Sequence, residues 1–367
     1  MSPPTLLDLR RLAAADRMAR PFVGTTGRNP TVGALIVDPR SGIVLGSGVT
    51  ARSGRPHAEP RALALAGAAA RGATLYVTLE PCHHTGDTPP CVDAVIAAGI
   101  SRIVTFLADP DPRTSGKSLE KLDKAGIDVT VADSASCPVG LHEGYLSRTV
   151  KGRPFVTAKL AVSADGMIGR EGEPNVPITG EESLRFTHVL RSRHEAILIG
   201  AETARIDNPL LDVRLKGLKD RSPFRWIALG QTPADPGLKV FAGQGAQTGI
   251  IAADPASAAA LPDRVERLIV AQGPDAGIGW ADALAKLGAR GLQHLLVEGG
   301  AAILYSLLKA RLVDRFYLLE SVRPVGAGGI PASPGGEIRS AIVATGLREA
   351  GTRPLGADRV TVFERPL

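Results

Sequence analysis

The stretch Thr78–Cys91, TLEPCHHTGDTPPC, closes one strand pattern and opens one helix pattern, and it holds two of the chain's three cysteines. The strand is ATLYVTLE (73–80). The helix is PCVDAVIAAG (90–99), with Pro90 near its first turn and Gly99 as its cap. Working outward, TVGALIVD (31–38) and GIVLGSGV (42–49) read as a hairpin joined through PRSG. A helix from about Ala58 to Ala70 follows it. Beyond the cysteines come the strand RIVTFLA, the helix SLEKLDKAG and the strand IDVTVA. Strands alternating with helices argue for an α/β sheet with helices on both faces.

GLHEGYLSRTVKGRP (140–154) reads as a last helix running into a Gly/Pro break, and a β-rich segment, FVTAKLAVSADG, starts directly after it. This places a domain boundary near residue 150, giving domains 1–150 and 151–367. The second is again α/β. Its strands are expected at Phe155–Val162, Glu195–Ile199, Trp226–Leu229, Gly249–Ala252, Arg267–Val270, HLLVEGG, VDRFYLLESV and DRVTVFE. Its helices are expected at Glu181–Arg193, near Trp280–Leu287 and over AAILYSLLKARL. No internal repeat or low-complexity segment is present.

A chain of 367 residues with 44% hydrophobic and 22% charged residues has the balance of a folded protein of two or three domains. No apolar run reaches the roughly 18 residues of a membrane span, so no membrane partner is expected. The N-terminal TLLDLRRLAAADRMA carries Asp8, Arg10, Arg11, Asp16 and Arg17; it reads as an amphipathic helix rather than a signal peptide. Three cysteines make no disulfide framework, so a reducing cytoplasm with free thiols is expected. The net charge of +6 comes without a Lys/Arg tract and with only 4% aromatics. That disfavours nucleic acid and favours an anionic small molecule such as a phosphate.

Free thiols remain available to a metal. Zinc takes thiolate and imidazole ligands, and a catalytic site keeps three protein ligands and one open position. His57, Cys82 and Cys91 supply that set. Glu59, two residues from His57, would stand beside the metal without ligating it, free to move protons. This is the H-x-E…P-C logic of zinc deaminases. The plainer reading is coincidence: buried free cysteines are common, and eight residues separate these thiols where C-x-x-C is usual. The combined string outweighs it, with HAE at a helix start, a strand ending TLEPC and TPPC opening a helix. His83 and His84 read as substrate or supporting groups, and Cys137 as structural.

In the second domain, HLLVEGG runs directly into AAILYSLLKA. Gly299 and Gly300 let backbone approach closely there, and the helix N-terminus offers free N–H groups to a phosphate. No G-x-G-x-x-G fingerprint is present. Glu298 ends its strand where ligands bind in open α/β sheets, although a solvated loop carboxylate would look the same. Arg191, on a helix that also carries Arg185 and Arg193, and Arg214, closing DNPLLDVR, suit a phosphate, since guanidinium binds it bidentately.

Together, NPTVGALIVD, PHAEPRALALA, TLEPCHHTGDTPPC and DPDPRTSGKS resemble the deaminase half of the bifunctional riboflavin-biosynthesis deaminase/reductases. KLAVSADGMI, PITGEE, LRSRHEAILIGAETARIDNPLLDVR and LLVEGGAAIL resemble the reductase half, in the family's domain order. The resemblance implies a cytidine-deaminase-like α/β/α domain followed by a dihydrofolate-reductase-like α/β domain. It implies hydrolytic removal of the 2-amino group of a diamino-hydroxy-pyrimidine bearing a phosphoribosylamino group, then reduction of the ribosyl group to ribityl with NADPH. His57, Cys82 and Cys91 would bind one zinc, Glu59 would shuttle protons, and Asn29 and Asp109 would contact the pyrimidine. Arg191, Leu211, Arg214 and Glu298 would bind the ribosyl substrate, with Lys159 near the reacting carbon. Ala161, Thr203, Asp207, Gly230 and the run Gly300, Ala301, Ala302, Ile303, Leu304, Tyr305, Ser306 would line the NADPH site. Self-association as a homo-oligomer is implied through the reductase domains.

Three positions depart from the family pattern. Asp87 stands where relatives carry Lys or Arg, Thr50 where they often carry His, and Asn175–Val176–Pro177 where they commonly have Ser-Gln-Trp. The alternatives Asp87 and Thr50 keep open are a paralogue that deaminates a related amino-pyrimidine, and a protein in which only the reductase works; the missing aromatic at Pro177 implies an altered cofactor affinity.

Overall fold

The computed structural model describes residues 3–86, 88–132, 139–230, 232–274, 277–333 and 337–366; Asp87 and Cys137 lie outside them. The chain separates into two compact units, Met1–Gly152 and Arg153–Leu367.

The first unit is built on a five-stranded sheet ordered β2-β1-β3-β4-β5. Its strands are β1 (Gly33–Val37), β2 (Val44–Val49), β3 (Thr74–Val77), β4 (Arg102–Thr105) and β5 (Asp128–Val131). The hairpin read from the sequence is the antiparallel β1–β2 pair, and β3, β4 and β5 are parallel. β1 and β3 are buried along their whole length, which is why they appear as continuous apolar runs. Among the described residues five α-helices accompany the sheet: α1 (Leu6–Ala19), α2 (Ala58–Ala66), α3 (Cys91–Ala97), α4 (Lys117–Lys124) and α5 (Glu143–Lys151). α2 is shorter than expected because Gly67, at φ 53°, ends it and a 3₁₀ turn, Gly67–Ala70, follows.

Glycines set how closely α2 lies on the sheet. A Cβ at Gly46 would come 2.2 Å from Ala62 O, and one at Gly48 would come 2.1 Å from Ala58 O. Only hydrogen fits at these two strand positions, so the start of α2 rests directly on β2.

The second unit carries a nine-stranded sheet built from β6 (Phe155–Val162), β8 (Ala196–Gly200), β9 (Phe224–Gly230), β10 (Thr248–Ala252), β11 (Glu266–Ile269), β12 (His294–Glu298), β13 (Arg315–Glu320), β15 (Arg348–Leu355) and β16 (Asp358–Glu364). β7 (Met167–Arg170) and β14 (Gly329–Pro331) form a separate antiparallel pair. The sheet order is β11-β10-β9-β8-β12-β6-β13-β16-β15. It is parallel from β11 to β13 and antiparallel at β13–β16–β15. The helices are α6 (Glu181–Arg191), α7 (Ala201–Asp207), α8 (Trp280–Ala289), α9 (Ala301–Lys309) and α10 (Ile338–Ala344). Two apolar clusters, one around Leu295, Val297 and Phe316 and one around Ile197, Ile227 and Ile250, form its core.

Candidate functional site

His57 is the N-cap residue of α2, and Glu59 is the second residue of that helix. Cys82 follows β3, and Cys91 opens α3. His57 Nδ1 lies 3.7 Å from Cys82 Sγ and 3.3 Å from Cys91 Sγ, and all three donor atoms fall within 4.8 Å of one another. A tetrahedral ion with Zn–S of about 2.3 Å and Zn–N of about 2.0–2.1 Å holds such donors roughly 3.6–3.8 Å apart. The three side chains are therefore clustered closely enough to hold zinc.

The surroundings favour that role. The other ring nitrogen, His57 Nε2, lies 3.3 Å from Asn29 Oδ1, so the ring keeps its proton there and presents Nδ1 to the metal. The Cys91 backbone N–H donates to Cys82 Sγ at 3.3 Å. The hydrogen bond from the Cys91 thiol and the nearby His57 ring lower the Cys82 thiol to about 4, against its burial. Beside that thiolate, Cys91 is pushed up; a bound cation removes the competition and lets both thiols ionise. Glu59 is 3% exposed, and burial raises its carboxyl to about 7 against the pull of His57. An acid with that value can both take and return a proton near neutral pH.

One cavity joins His57, Glu59 and Cys82 to Asn29, Thr50, Glu80, His84 and Asp109. Asp109 Oδ1 accepts from the Tyr145 hydroxyl at 2.8 Å and from the Asp111 N–H at 2.9 Å, and burial raises its carboxyl to about 6. Thr50 takes a backbone role: its hydroxyl donates to Pro30 O and accepts from the Val32 N–H, both at 3.0 Å. It thereby fixes the segment that carries Asn29. His84 lines the cavity, with Nδ1 3.4 Å from Thr114 Oγ1; the His83 N–H reaches the same oxygen.

Glu80 was not singled out from the sequence. Its buried carboxylate accepts from the N–H groups of Asp109 (2.9 Å), Gly116 (3.0 Å) and Ser118 (3.1 Å). It thus pins the whole loop from Asp109 to the start of α4. Its place in TLEPC was the one available signal. Tyr145 and Arg148, both on α5, were missed as well, because nothing local in α5 says that it returns to this cavity.

In the second unit the expected residues gather at the carboxyl ends of the parallel strands, where an open α/β sheet binds ligands. Ala161 lies in β6, Gly230 ends β9, Glu298 ends β12, and Thr203 and Asp207 sit in α7 directly after β8. Glu298 and Lys159 are register partners on adjacent strands. Burial pulls Lys159 below its usual value while Glu298 opposes the shift. Burial alone would raise Glu298, but Arg191 outweighs it and holds the carboxyl low. Arg191 Nε and Nη2 donate to the two Glu298 oxygens at 2.7 and 2.9 Å, and Nη1 donates to Asp212 O at 3.1 Å. Arg191 is thus committed to the protein, whereas Arg214 is 62% exposed beside it, 3.7 Å from Asp212. Leu211 is buried with φ 55°.

Gly299 and Gly300 both have positive φ, and a Cβ at Gly300 would lie 2.9 Å from Thr203 Oγ1. α9 begins there with no side-chain cap, so no side chain takes up its first N–H groups. The side chains of Ile303 and Leu304 enter the core. Ser306 Oγ accepts from Trp280 Nε1 at 2.8 Å and donates to Ile303 O. What α9 offers a cofactor is therefore the backbone around Gly300, Ala301 and Ala302, with Tyr305 half-exposed further on. Asp207 Oδ1 accepts from the Asn175 N–H at 3.0 Å, which ties the Asn175–Pro177 segment beside this face.

A metal-ready deaminase centre and a strand-end nucleotide face on one chain define a two-domain deaminase–reductase. Residues 9–107 match the cytidine and deoxycytidylate deaminase zinc-binding region, and residues 154–361 match the RibD C-terminal domain. The riboflavin biosynthesis protein RibD of Aquifex aeolicus is 35% identical over 360 residues, spanning 98% of this chain and 99% of its own. That of Escherichia coli is 34% identical over 337 residues, 88% and 90% of the two chains. Among solved structures, a diaminohydroxyphosphoribosylaminopyrimidine deaminase/5-amino-6-(5-phosphoribosylamino)uracil reductase from Thermotoga maritima matches with TM-score 0.84 at 29% identity, over 98% of this chain and 99% of that one. Acinetobacter baumannii RibD matches with TM-score 0.85 at 27% identity, over 98% and 99%. The chain belongs to the RibD family. It is a bifunctional enzyme of riboflavin biosynthesis, a zinc-dependent deaminase and an NADPH-dependent reductase.

Proposed function

We propose that the deaminase acts on 2,5-diamino-6-(5-phosphoribosylamino)pyrimidin-4-one and that the reductase then converts the ribosyl group of the product to ribityl. The observation that carries this reading is the cavity in which His57 and Cys82, two of the three clustered donors, meet a buried Glu59 and Asp109. Zinc, when bound, supplies a water acidic enough to attack an amidine-like ring carbon at neutral pH. Glu59 accepts the water's proton at its carboxylate and returns it to the departing amine, which leaves as ammonia. Asp109, held by Glu80 and Tyr145, and Asn29, held through Thr50 and His57, bind the pyrimidine edge.

In the reductase, NADPH supplies the hydride when bound. The backbone at Gly300–Ala302 holds its phosphate, with Ala161, Thr203, Asp207 and Gly230 around the same strand ends. Arg191 orients Glu298 toward the sugar, Lys159 stands by the reacting carbon, and Arg214 takes the substrate phosphate over Leu211. The deaminase is assigned to Met1–Gly152 and the reductase to Arg153–Leu367, which the two compact units support. Among the described residues no helix is long and apolar enough to cross a membrane. A cytoplasmic location fits the reduced thiols the site needs; for a homo-oligomer the family resemblance is the support.

The test follows ammonia release and NADPH oxidation together on the diamino substrate. Both should proceed in the parent protein. Glu59→Gln should keep its zinc and its NADPH oxidation on already deaminated substrate, while ammonia release falls by at least about a hundredfold. Undiminished ammonia release would remove Glu59 from the mechanism.

A further inference from the structure

The deaminase cavity has a basic rim that neither the metal nor the proton transfer uses. Arg28, Arg113 and Arg148 all line it, yet they differ in what they are already bound to. Arg113 is spent on Asp111, its Nε 3.0 Å from both carboxylate oxygens and its Nη2 2.5 Å from Oδ2. Arg28 takes part through its backbone, offering its carbonyl to Arg148 Nη2 at 3.0 Å. Arg148 lies over the Tyr145 ring, 5.7 Å from the centroid. Its Nε is buried and has no hydrogen-bond partner, and no carboxylate pairs with it among the described residues.

The acidic groups next to Arg148 in the cavity have other partners. Glu80 accepts from backbone N–H groups, Asp111 pairs with Arg113, and Asp109 Oδ1 accepts from Tyr145 and the Asp111 N–H. A guanidinium is always charged, and a buried N–H without an acceptor is costly to leave unmet. A fork held flat by one carbonyl and one aromatic ring, with donors left over, suits a doubly charged oxyanion. Residue 87, between the two cysteines in the sequence, is an aspartate in this chain, so it adds no cation of its own.

We infer that Arg148 binds the substrate's phosphate in the deaminase site, with the Arg28 carbonyl and the Tyr145 ring fixing the plane of its guanidinium. This rests on the reading that the deaminase substrate is a phosphorylated pyrimidine. Tyr145 and Arg148 are three residues apart on α5 and so share one face of that helix. Tyr145 holds Asp109 at the pyrimidine end, while Arg148 reaches the phosphate end. One helical turn then sets the distance between the two recognised ends of the substrate, which makes α5 the specificity element for phosphorylated over unphosphorylated compounds.

The experiment compares the parent protein with Arg148→Ala and Arg148→Lys, measuring ammonia release from the phosphorylated substrate and from its dephosphorylated form. Arg148→Ala should raise KM for the phosphorylated substrate at least about tenfold, leave its kcat within about threefold, and leave KM for the dephosphorylated form unchanged. Arg148→Lys should fall between, keeping the charge and losing the fork. Inhibition of ammonia release by ribose 5-phosphate should weaken in step. Equal rises in both KM values would make Arg148 merely structural, and no rise in either would remove it from the site. If the parent releases no ammonia from either compound, the substrate reading fails by itself. Calorimetric titration with ribose 5-phosphate then decides on Arg148: its alanine variant must lose a binding event that the parent shows, and identical titrations overturn the inference.

Discussion

Replacing Gly48 by alanine should disable the deaminase without touching its chemistry. Gly48 faces the start of α2, and the added Cβ would lie 2.1 Å from Ala58 O, 2.8 Å from Ala62 N and 3.0 Å from Arg61 Cβ. A carbon–oxygen contact needs a little over 3 Å, so α2 must retreat from β2 by about 1 Å at Ala58, at an overpacking cost of about 1–3 kcal/mol. Ala58 stands between His57 and Glu59. The retreat therefore moves a zinc ligand and the proton shuttle away from Cys82 and Cys91, which are anchored on other elements. A misplacement of about 1 Å can cost about a hundredfold in rate, so kcat for ammonia release should drop by about 10- to 100-fold, with weaker zinc retention on dialysis. NADPH oxidation on deaminated substrate, which depends on residues of Arg153–Leu367, should stay at the parent rate, and the parental far-ultraviolet circular dichroism should be kept, showing that the first unit is folded. A Gly48→Ala protein with parental kcat and zinc content would refute the idea that β2 glycines set the position of the site.

Other consequences follow from the same contacts. Glu298→Ala leaves Arg191 buried without its carboxylate, and removing one partner of a buried pair costs about 3–5 kcal/mol; a clear drop in thermal stability together with lost NADPH oxidation is expected. Arg214→Ala should raise KM for the phosphorylated reductase substrate about tenfold, roughly 1.4 kcal/mol, with kcat little changed; an unaltered KM would take Arg214 out of the phosphate site. Acid should destabilise the chain through buried histidines. Burial lowers His142 and His194 to about 4 and His294 to about 3, with His194 adding to the shift at His294. These folded values lie below the unfolded value near 6.5, so the unfolded chain binds the protons first. Their stabilisation is complete above about pH 6.5 and is lost as pH falls toward 4, about 3 kcal/mol for His142 alone. Denaturant midpoints flat from pH 7 to 4 would contradict this.

The metal centre was legible because its signals are local: HAE at a helix start, and cysteines at a strand end and a helix start. Each sits at an element boundary that periodicity locates. The same holds for most strands of the second unit, where buried β8, β9, β10 and β12 each carry a short apolar run (AILIG, WIALG, GIIA and LLV). β15 was not legible. REAGTRPL is exposed almost throughout and contains Gly and Pro, as an edge strand tolerates, so no alternating apolar face announces it. The boundary helix α5 was read correctly as a helix but not as a wall of the deaminase cavity.

By itself the sequence determined the donor set, the domain order and the family, because these depend on residue type and on spacing within one or two elements. Only the tertiary structure decided that Glu80 holds the Asp109 loop, that Arg191 is spent on Glu298 while Arg214 stays exposed, and that Ile303 and Leu304 turn into the core. It also decided that Tyr145 and Arg148 reach the cavity. Each of these depends on which strand ends the sheet order brings together and which helix face packs inward. Such choices are made by burial and hydrogen bonding across more than thirty residues of chain in most of these pairs, as with Tyr145 and Asp109 or Arg191 and Glu298, and local pattern carries no record of them.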